Sequence, residues 1–206
     1  MLGNKINSMD LKEININHFA IKEAVFPFKR FTGVDTILGP EMRSTGEVMG
    51  IDRDFGMAFA KSQIGSGSRI PTEGSVFVSV KDSDKDKILN PVSDLFSLGF
   101  DIYATHGTAE FLNNNNIQTK KINKVLQGSP HIVEMISEKK ISLVLNTTET
   151  PQAIKDSKSI RRSALESETP YYTTVSGANA VVMAIKAIKN NEISIKTIQS
   201  FGQLLS

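Results

Sequence analysis

Short apolar runs alternate with longer stretches of mixed polar and apolar residues along most of the chain, and from Gly74 onward the alternation becomes regular. Residues 76–80, 100–104, 117–122, 141–145 and 170–174 carry the apolar runs and are predicted as strands. Residues 87–98, 109–116, 130–137, 156–167 and 178–189 lie between or after them with helical periodicity. Strands that alternate with helices build a parallel sheet, because each crossover must carry the chain back to the same edge. The run at 141–145 is continuously apolar, as a central strand covered on both faces must be. Gly99 closes the first of these helices, an asparagine-rich end suits a C-cap on the second, and Pro130 is placed to open the next.

The first part of the chain has a different texture. Residues 19–26 read as a strand with no partner strand nearby in the sequence, and Gly and Pro punctuate residues 28–40 into an irregular passage. Phe55, Ala58, Phe59 and Ile64 recur at helical spacing over 52–64. The cluster Gly65-Ser66-Gly67-Ser68-Arg69-Ile70-Pro71 then marks a domain boundary.

Composition changes this picture little. The 206 residues are 39% hydrophobic and 22% charged, which suits a folded globular protein. A formal net charge of +2 gives no bulk attraction for nucleic acid or an anionic membrane. The absence of cysteine excludes disulfides, thiolate metal sites and cysteine nucleophiles. Neither a long apolar run nor a secretory leader stands out, so the expected location is cytoplasmic.

In open parallel sheets ligands bind outside the carboxyl ends of the strands, and the polar residues concentrate there. Ser79 and Lys81 to Lys85 follow the first strand, Thr105-His106-Gly107-Thr108 follows the second, and Asn146-Thr147-Thr148 follows the fourth. Gly107 allows a tight turn while Thr108 caps the next helix and leaves amide donors for an anion, so a phosphate fits there. Lys85 and Lys124 add charge; Thr105, Asn146 and Thr148 add neutral hydrogen bonds. Each feature alone has a plain alternative. Thr108 is then only a cap, residues 81–87 a solvated charged face, Arg161-Arg162 an ion-pair surface, and His106 and His131 structural rather than acid/base groups. Asn146-Thr147-Thr148 has the form of a glycan acceptor, but it abuts the most buried strand. No P-loop, metal-ligand spacing, nucleophile elbow or dinucleotide fingerprint is present.

Longer motifs carry a resemblance. Leu38-Gly-Pro-Glu-Met-Arg-Ser-Thr-Gly-Glu-Val-Met-Gly50, Ala58-Phe-Ala-Lys61, Ala104-Thr-His-Gly-Thr-Ala109, Asn123-Lys124-Val125, Asn146-Thr-Thr148 and Ile160-Arg-Arg-Ser-Ala-Leu165 occur in order. The chain therefore closely resembles the C-terminal part of the carbamoyl-phosphate synthase large subunit. The resemblance implies an α/β fold: a methylglyoxal-synthase-like, Rossmann-type parallel sheet of about five strands with flanking helices, preceded by the tail of an ATP-grasp domain. It places that tail at residues 1–50, a helix and linker at 51–72, and the allosteric domain at 73–206.

The resemblance further implies nucleotide monophosphate effectors, UMP as inhibitor and IMP as activator, bound by Ser79, Lys85, Thr105, Thr108, Lys124, Asn146, Thr147 and Thr148. A second site, for ornithine, maps to Glu23 and Thr173, but Tyr172 stands where an aspartate would meet the ligand's ammonium, which argues against ornithine activation. Catalytic residues and cofactors are expected to be absent from this chain; ATP with magnesium or manganese belongs to segments of the parent enzyme outside it. Expected partners are the rest of the large subunit, the glutaminase small subunit and, through the allosteric domain, a further copy. The rival is methylglyoxal synthase itself, whose Gly-Gly-Asp motif is replaced here by Gly128-Ser129-Pro130 and whose catalytic histidine position lies near Lys155.

Overall fold

The computed structural model describes residues 16–25, 46–123, 128–148 and 157–202. Strand β1 (Phe19–Val25) and strand β2 (Gly46–Asp52) form an antiparallel ribbon in which Glu23 lies opposite Val48. Helix α1 (Phe55–Gly65) follows, its first turn capped by the Asp54 carboxylate accepting the Met57 amide at 2.8 Å.

The alternating segment then gives β3 (Ser75–Ser79), α2 (Lys85–Ser97), β4 (Asp101–Ala104), α3 (His106–Asn114) and β5 (Thr119–Lys121). It continues with α4 (Ile132–Ser137), β6 (Leu143–Asn146), α5 (Lys158–Glu166), β7 (Tyr171–Tyr172), α6 (Val175–Asn190) and a short α7 (Ile198–Gly202). The five strands β3 to β7 pair in parallel in the order β5-β4-β3-β6-β7. The expected α/β architecture is thus observed, and the chain reverses its direction of sheet growth between β3 and β6.

Side-chain alternation builds the layers. Val76, Val78, Leu143 and Leu145 face one side, where they pack with Ile88 and Leu95 of α2, Leu112 of α3 and Ile185 of α6. Phe77 and Val144 face the other, against Ile132 and Ile136 of α4 and Ile160 of α5. Both central strands are apolar on both faces, which is why they read as unbroken runs. Where α2 ends, Gly99 adopts φ +91 and the Phe100 amide reaches back to the Leu95 carbonyl at 3.1 Å. Asn116 does the same after α3 with φ 62, in keeping with the C-cap expected there.

Two expectations are corrected. The strand at 19–26 has a partner in β2, whose two glycines hide its strand character in the sequence. Gly50 is glycine because α1 lies directly on the strand, so that a Cβ there would run into the Ala58 carbonyl oxygen and the Ser62 amide nitrogen. Second, α4 begins at Ile132 rather than Pro130. His131 is its N-cap, its Nδ1 accepting the Glu134 amide while Glu134 Oε2 accepts the His131 amide at 3.0 Å. The reciprocal cap is worth more at the helix start than the fixed φ of proline, and it commits His131 to structure.

Helix α1 has neighbours on two sides. Lys61 Nζ reaches Asp52 Oδ2 at 2.6 Å on the ribbon side. On the other, Gly56 lets the α6 backbone approach so closely that an added Cβ would stand 2.7 Å from the Met183 carbonyl carbon. The ribbon is therefore fastened to the α/β layer through α1.

Candidate functional site

The sheet's order reverses between β3 and β6, and at that point an open α/β sheet leaves a crevice outside its strand ends. Ser79 and Asn146, the last residues of these strands, are direct partners in the ladder. Thr105 follows β4 immediately. Its hydroxyl stands 3.2 Å from Ser79 Oγ and 3.5 Å from Thr108 Oγ1, so its single proton serves one of them at a time. Thr108 Oγ1 accepts the Val80 amide at 3.4 Å, and Thr147 Oγ1 accepts the Lys81 amide at 3.2 Å. Thr148 continues the loop and is half-buried.

Thr105, Thr108, Asn146 and Thr147 are all buried. Burying polar groups is unfavourable unless they are served, and here much of the service comes from one another. The hydroxyls of Ser79, Thr105 and Thr108 bond to one another, and Asn146 Nδ2 donates to the Tyr171 hydroxyl at 2.6 Å. The same use of Nδ2 removes the glycan reading.

The cation comes from α2. Lys85 Nζ lies 3.7 Å from the place a Cβ on Gly107 would occupy, so the ammonium hangs over the first turn of α3. It is held there by Asp82 Oδ1 at 2.7 Å. Hydrogen bonding to Lys85 holds the Asp82 carboxyl below the usual range.

The α3 turn corrects the sequence reading in detail. Thr105, not Thr108, occupies the N-cap, and it makes no side-chain cap bond. Thr108 sits one turn in, pointing back to β3, and Gly107 is an ordinary helical residue whose φ is not positive. What Gly107 supplies is room beside Lys85. The helix start still has no side-chain cap bond to its amides, which favours an anion.

Lys124 and Lys155 lie outside the described residues. Glu23 and Thr173 fall elsewhere, Glu23 on the ribbon strand β1 and Thr173 just past β7. Glu23 Oε2 accepts from Gln63 Nε2 at 2.9 Å, and Gln63 Oε1 accepts from the Tyr172 hydroxyl at 3.2 Å; Thr173 follows, exposed. Partial burial pushes the Glu23 carboxyl up, a trend the Gln63 hydrogen bond opposes. Burial, with the Glu23 charge, keeps the Tyr172 hydroxyl firmly protonated.

Sequence reasoning missed Gln63 and Tyr171. Gln63 is 6% exposed on an otherwise apolar helix face, which is the signal that could have found it. Tyr171 carries none, because β7 has only two residues. No group of three or more His, Cys, Asp or Glu among the described residues could hold a metal, and no helix there is long and apolar enough to cross a membrane.

Residues 87–173 match the family model described as MGS-like domain. The chain carries an MGS-like domain. Around it, the carbamoyl phosphate synthase large chain of Brucella suis biovar 1 (strain 1330) is 53% identical over 184 residues, covering 89% of this chain and 16% of that protein. The large chain of Rhizobium meliloti (strain 1021) is 53% identical over 187 residues, and that of Nostoc sp. (strain PCC 7120 / SAG 25.82 / UTEX 2576) is 45% identical over 202. The resemblance to the C-terminal part of such large chains therefore holds, and the chain spans 16% to 18% of the length of these three relatives. A methylglyoxal synthase from Elizabethkingia anophelis NUHP1 overlaps 55% of this chain and 79% of its own at 16% identity and a TM-score of 0.43, a likeness too slight to argue from.

Proposed function

We propose that this chain, through its MGS-like domain, is a regulatory module of a carbamoyl phosphate synthase large chain that binds a nucleotide monophosphate, UMP or IMP, at the β3, β4 and β6 ends. The phosphate sits against the first turn of α3 and the Lys85 ammonium. Ser79, Thr105, Thr108 and Asn146 hydrogen-bond the phosphate and sugar, Thr147 and Thr148 shape the wall, and Lys124 adds a second charge. The observation that carries this reading is the gathering of buried hydroxyl and amide groups at neighbouring strand ends, with the Lys85 ammonium over the adjoining first turn of α3.

Regulation follows if the nucleotide binds one state of the parent enzyme better than another, since only differential affinity moves an equilibrium. The partners are then the remainder of the large chain and the glutaminase subunit, with self-association through the same domain, in the cytoplasm. ATP and its magnesium or manganese belong to the parent's synthetase segments, and the pathways served are those of pyrimidines and arginine.

The test is thermal unfolding with and without millimolar UMP and IMP, because a ligand of the folded state raises its melting temperature. Lys85→Ala is expected to weaken binding about 10- to 100-fold, the scale of a lost charge-assisted hydrogen bond, while Thr108→Ala weakens it less. No shift in the wild type, or an equal shift in Lys85→Ala, overturns the assignment. Phosphate-dependent production of methylglyoxal would favour the enzymatic rival.

A further inference from the structure

Strand β7 is two residues long and lies at the edge of the sheet, paired only with β6. Its tyrosines point to opposite faces, as strand neighbours do. Tyr171 packs with the core beneath α4 and α5, and Tyr172 with the core beneath α2 and α6. Each ring ends in a hydroxyl that grips something different.

Tyr171 accepts from Asn146 Nδ2 at 2.6 Å and interacts with the Arg161 guanidinium on α5. Tyr172 donates to Gln63 Oε1 at 3.2 Å, and Gln63 passes the connection through Nε2 to Glu23 on β1 at 2.9 Å. The Tyr172 ring also lies 6.3 Å from that of Phe59, so α1 holds it by packing as well. A strand this short makes few backbone bonds, and its position depends on what its side chains hold.

We infer that β7 is a joint between the strand-end crevice and the β1–β2 ribbon, with Tyr171 positioning Asn146 on one side and Tyr172 holding Gln63 against Glu23 on the other. This rests on the crevice being the nucleotide site. A ligand that draws the Asn146 amide toward itself pulls on Tyr171. The adjoining Tyr172 then shifts against Gln63, and the ribbon takes up a different position or a different mobility. By linkage, whatever fixes the ribbon also alters nucleotide affinity.

The experiment is amide hydrogen exchange on the full chain, with UMP as the probe and inorganic phosphate as a second one. In the wild type, UMP is expected to change exchange in the ribbon strands. Tyr172→Phe keeps the ring packing and still binds UMP, because its hydroxyl does not touch the crevice, but the ribbon's response is lost. Tyr171→Phe binds UMP about fivefold more weakly, as one lost hydrogen bond implies, and also loses the response. Binding with an unchanged ribbon, or a full response in Tyr172→Phe, overturns the joint and leaves the nucleotide site standing. No binding of UMP by the wild type overturns both.

Discussion

The crevice at the strand ends and the cluster beneath the ribbon are built from the same materials, a charged side chain among buried or half-buried amides and hydroxyls, yet they differ in what holds the charge. Beneath the ribbon the chain runs from the Tyr172 hydroxyl to the Gln63 carbonyl, and from the Gln63 amide to the Glu23 carboxylate, so both ends of the buried Gln63 amide are engaged. At the strand ends the hydroxyls bond one another, and among the described residues the ion-pair partner of Lys85 is Asp82, whose side chain is 93% exposed. The first arrangement is complete in itself and acts as a fastening. The second pairs its cation with a solvent-exposed carboxylate, which an anion can replace. A cation whose partner is solvent-exposed is thus a better pointer to a ligand site than buried polar groups by themselves.

Breaking the closed cluster without touching the open one gives the largest effect. Gly50→Ala puts a methyl group into the α1 backbone at Ala58 and Ser62, where no flexible side chain can give way. Overpacking of this kind costs on the order of 1–3 kcal/mol. The ribbon amides are expected to lose their protection from exchange, while those of β3 and β6 keep theirs and the crevice still takes up UMP. Equal loss throughout the chain would mean that ribbon and sheet are one cooperative unit rather than two bodies fastened through α1.

Legibility in the sequence follows the same division. The parallel sheet was readable because β3 and β6 are apolar on both faces and Gly99 and Asn116 mark helix ends. The residues of the crevice were readable because they follow strands directly, so that one-dimensional order fixes their place: Ser79 beside Asn146, Thr105 just past β4. The ribbon was not, because its pairing joins residues some twenty or more positions apart in sequence and because Gly50 answers to a helix that comes later. Nor was the role of Thr108, whose oxygen serves the Val80 amide 28 residues away. The link from Tyr172 to Glu23 spans most of the chain, and local periodicity carries no information at that range.

A smaller change sharpens the contrast from the open side. Asp82 competes with any incoming anion for the Lys85 ammonium. Asp82→Asn leaves the backbone turn intact and releases the lysine, and UMP is expected to bind about two- to fivefold more tightly, since exposed ion pairs are weak. Asp84→Asn removes the same charge from the same 3₁₀ turn at a side chain for which no contact with Lys85 is recorded. It should gain less, as isothermal titration of both variants would reveal. Equal gains would reduce the effect of Asp82 to its long-range field.

Glu23 gives the smallest effect and the one most specific to the closed cluster. Its carboxyl is pushed up by partial burial, against the pull of the Gln63 hydrogen bond, so the folded protein holds a proton there that the unfolded chain has already released. Stability from this group is present in full below its ordinary value near 4.5 and is lost as the pH rises through its raised folded value. At neutral pH the charged form bears the desolvation, and Tyr172, the titratable group facing it, stays neutral and offers no countercharge. Glu23→Gln keeps an oxygen to accept from Gln63 and has no charge to bury. Its melting temperature should match or slightly exceed the wild type at pH 7, and the difference should close as the pH falls toward 4. The open cluster predicts the reverse sense: Asp82 is held low by Lys85, so its contribution is present above the ordinary carboxylate range and fades in acid. Opposite slopes of the two variants' melting temperatures against pH would therefore separate a carboxylate kept for fastening from one that occupies a lysine until a ligand replaces it.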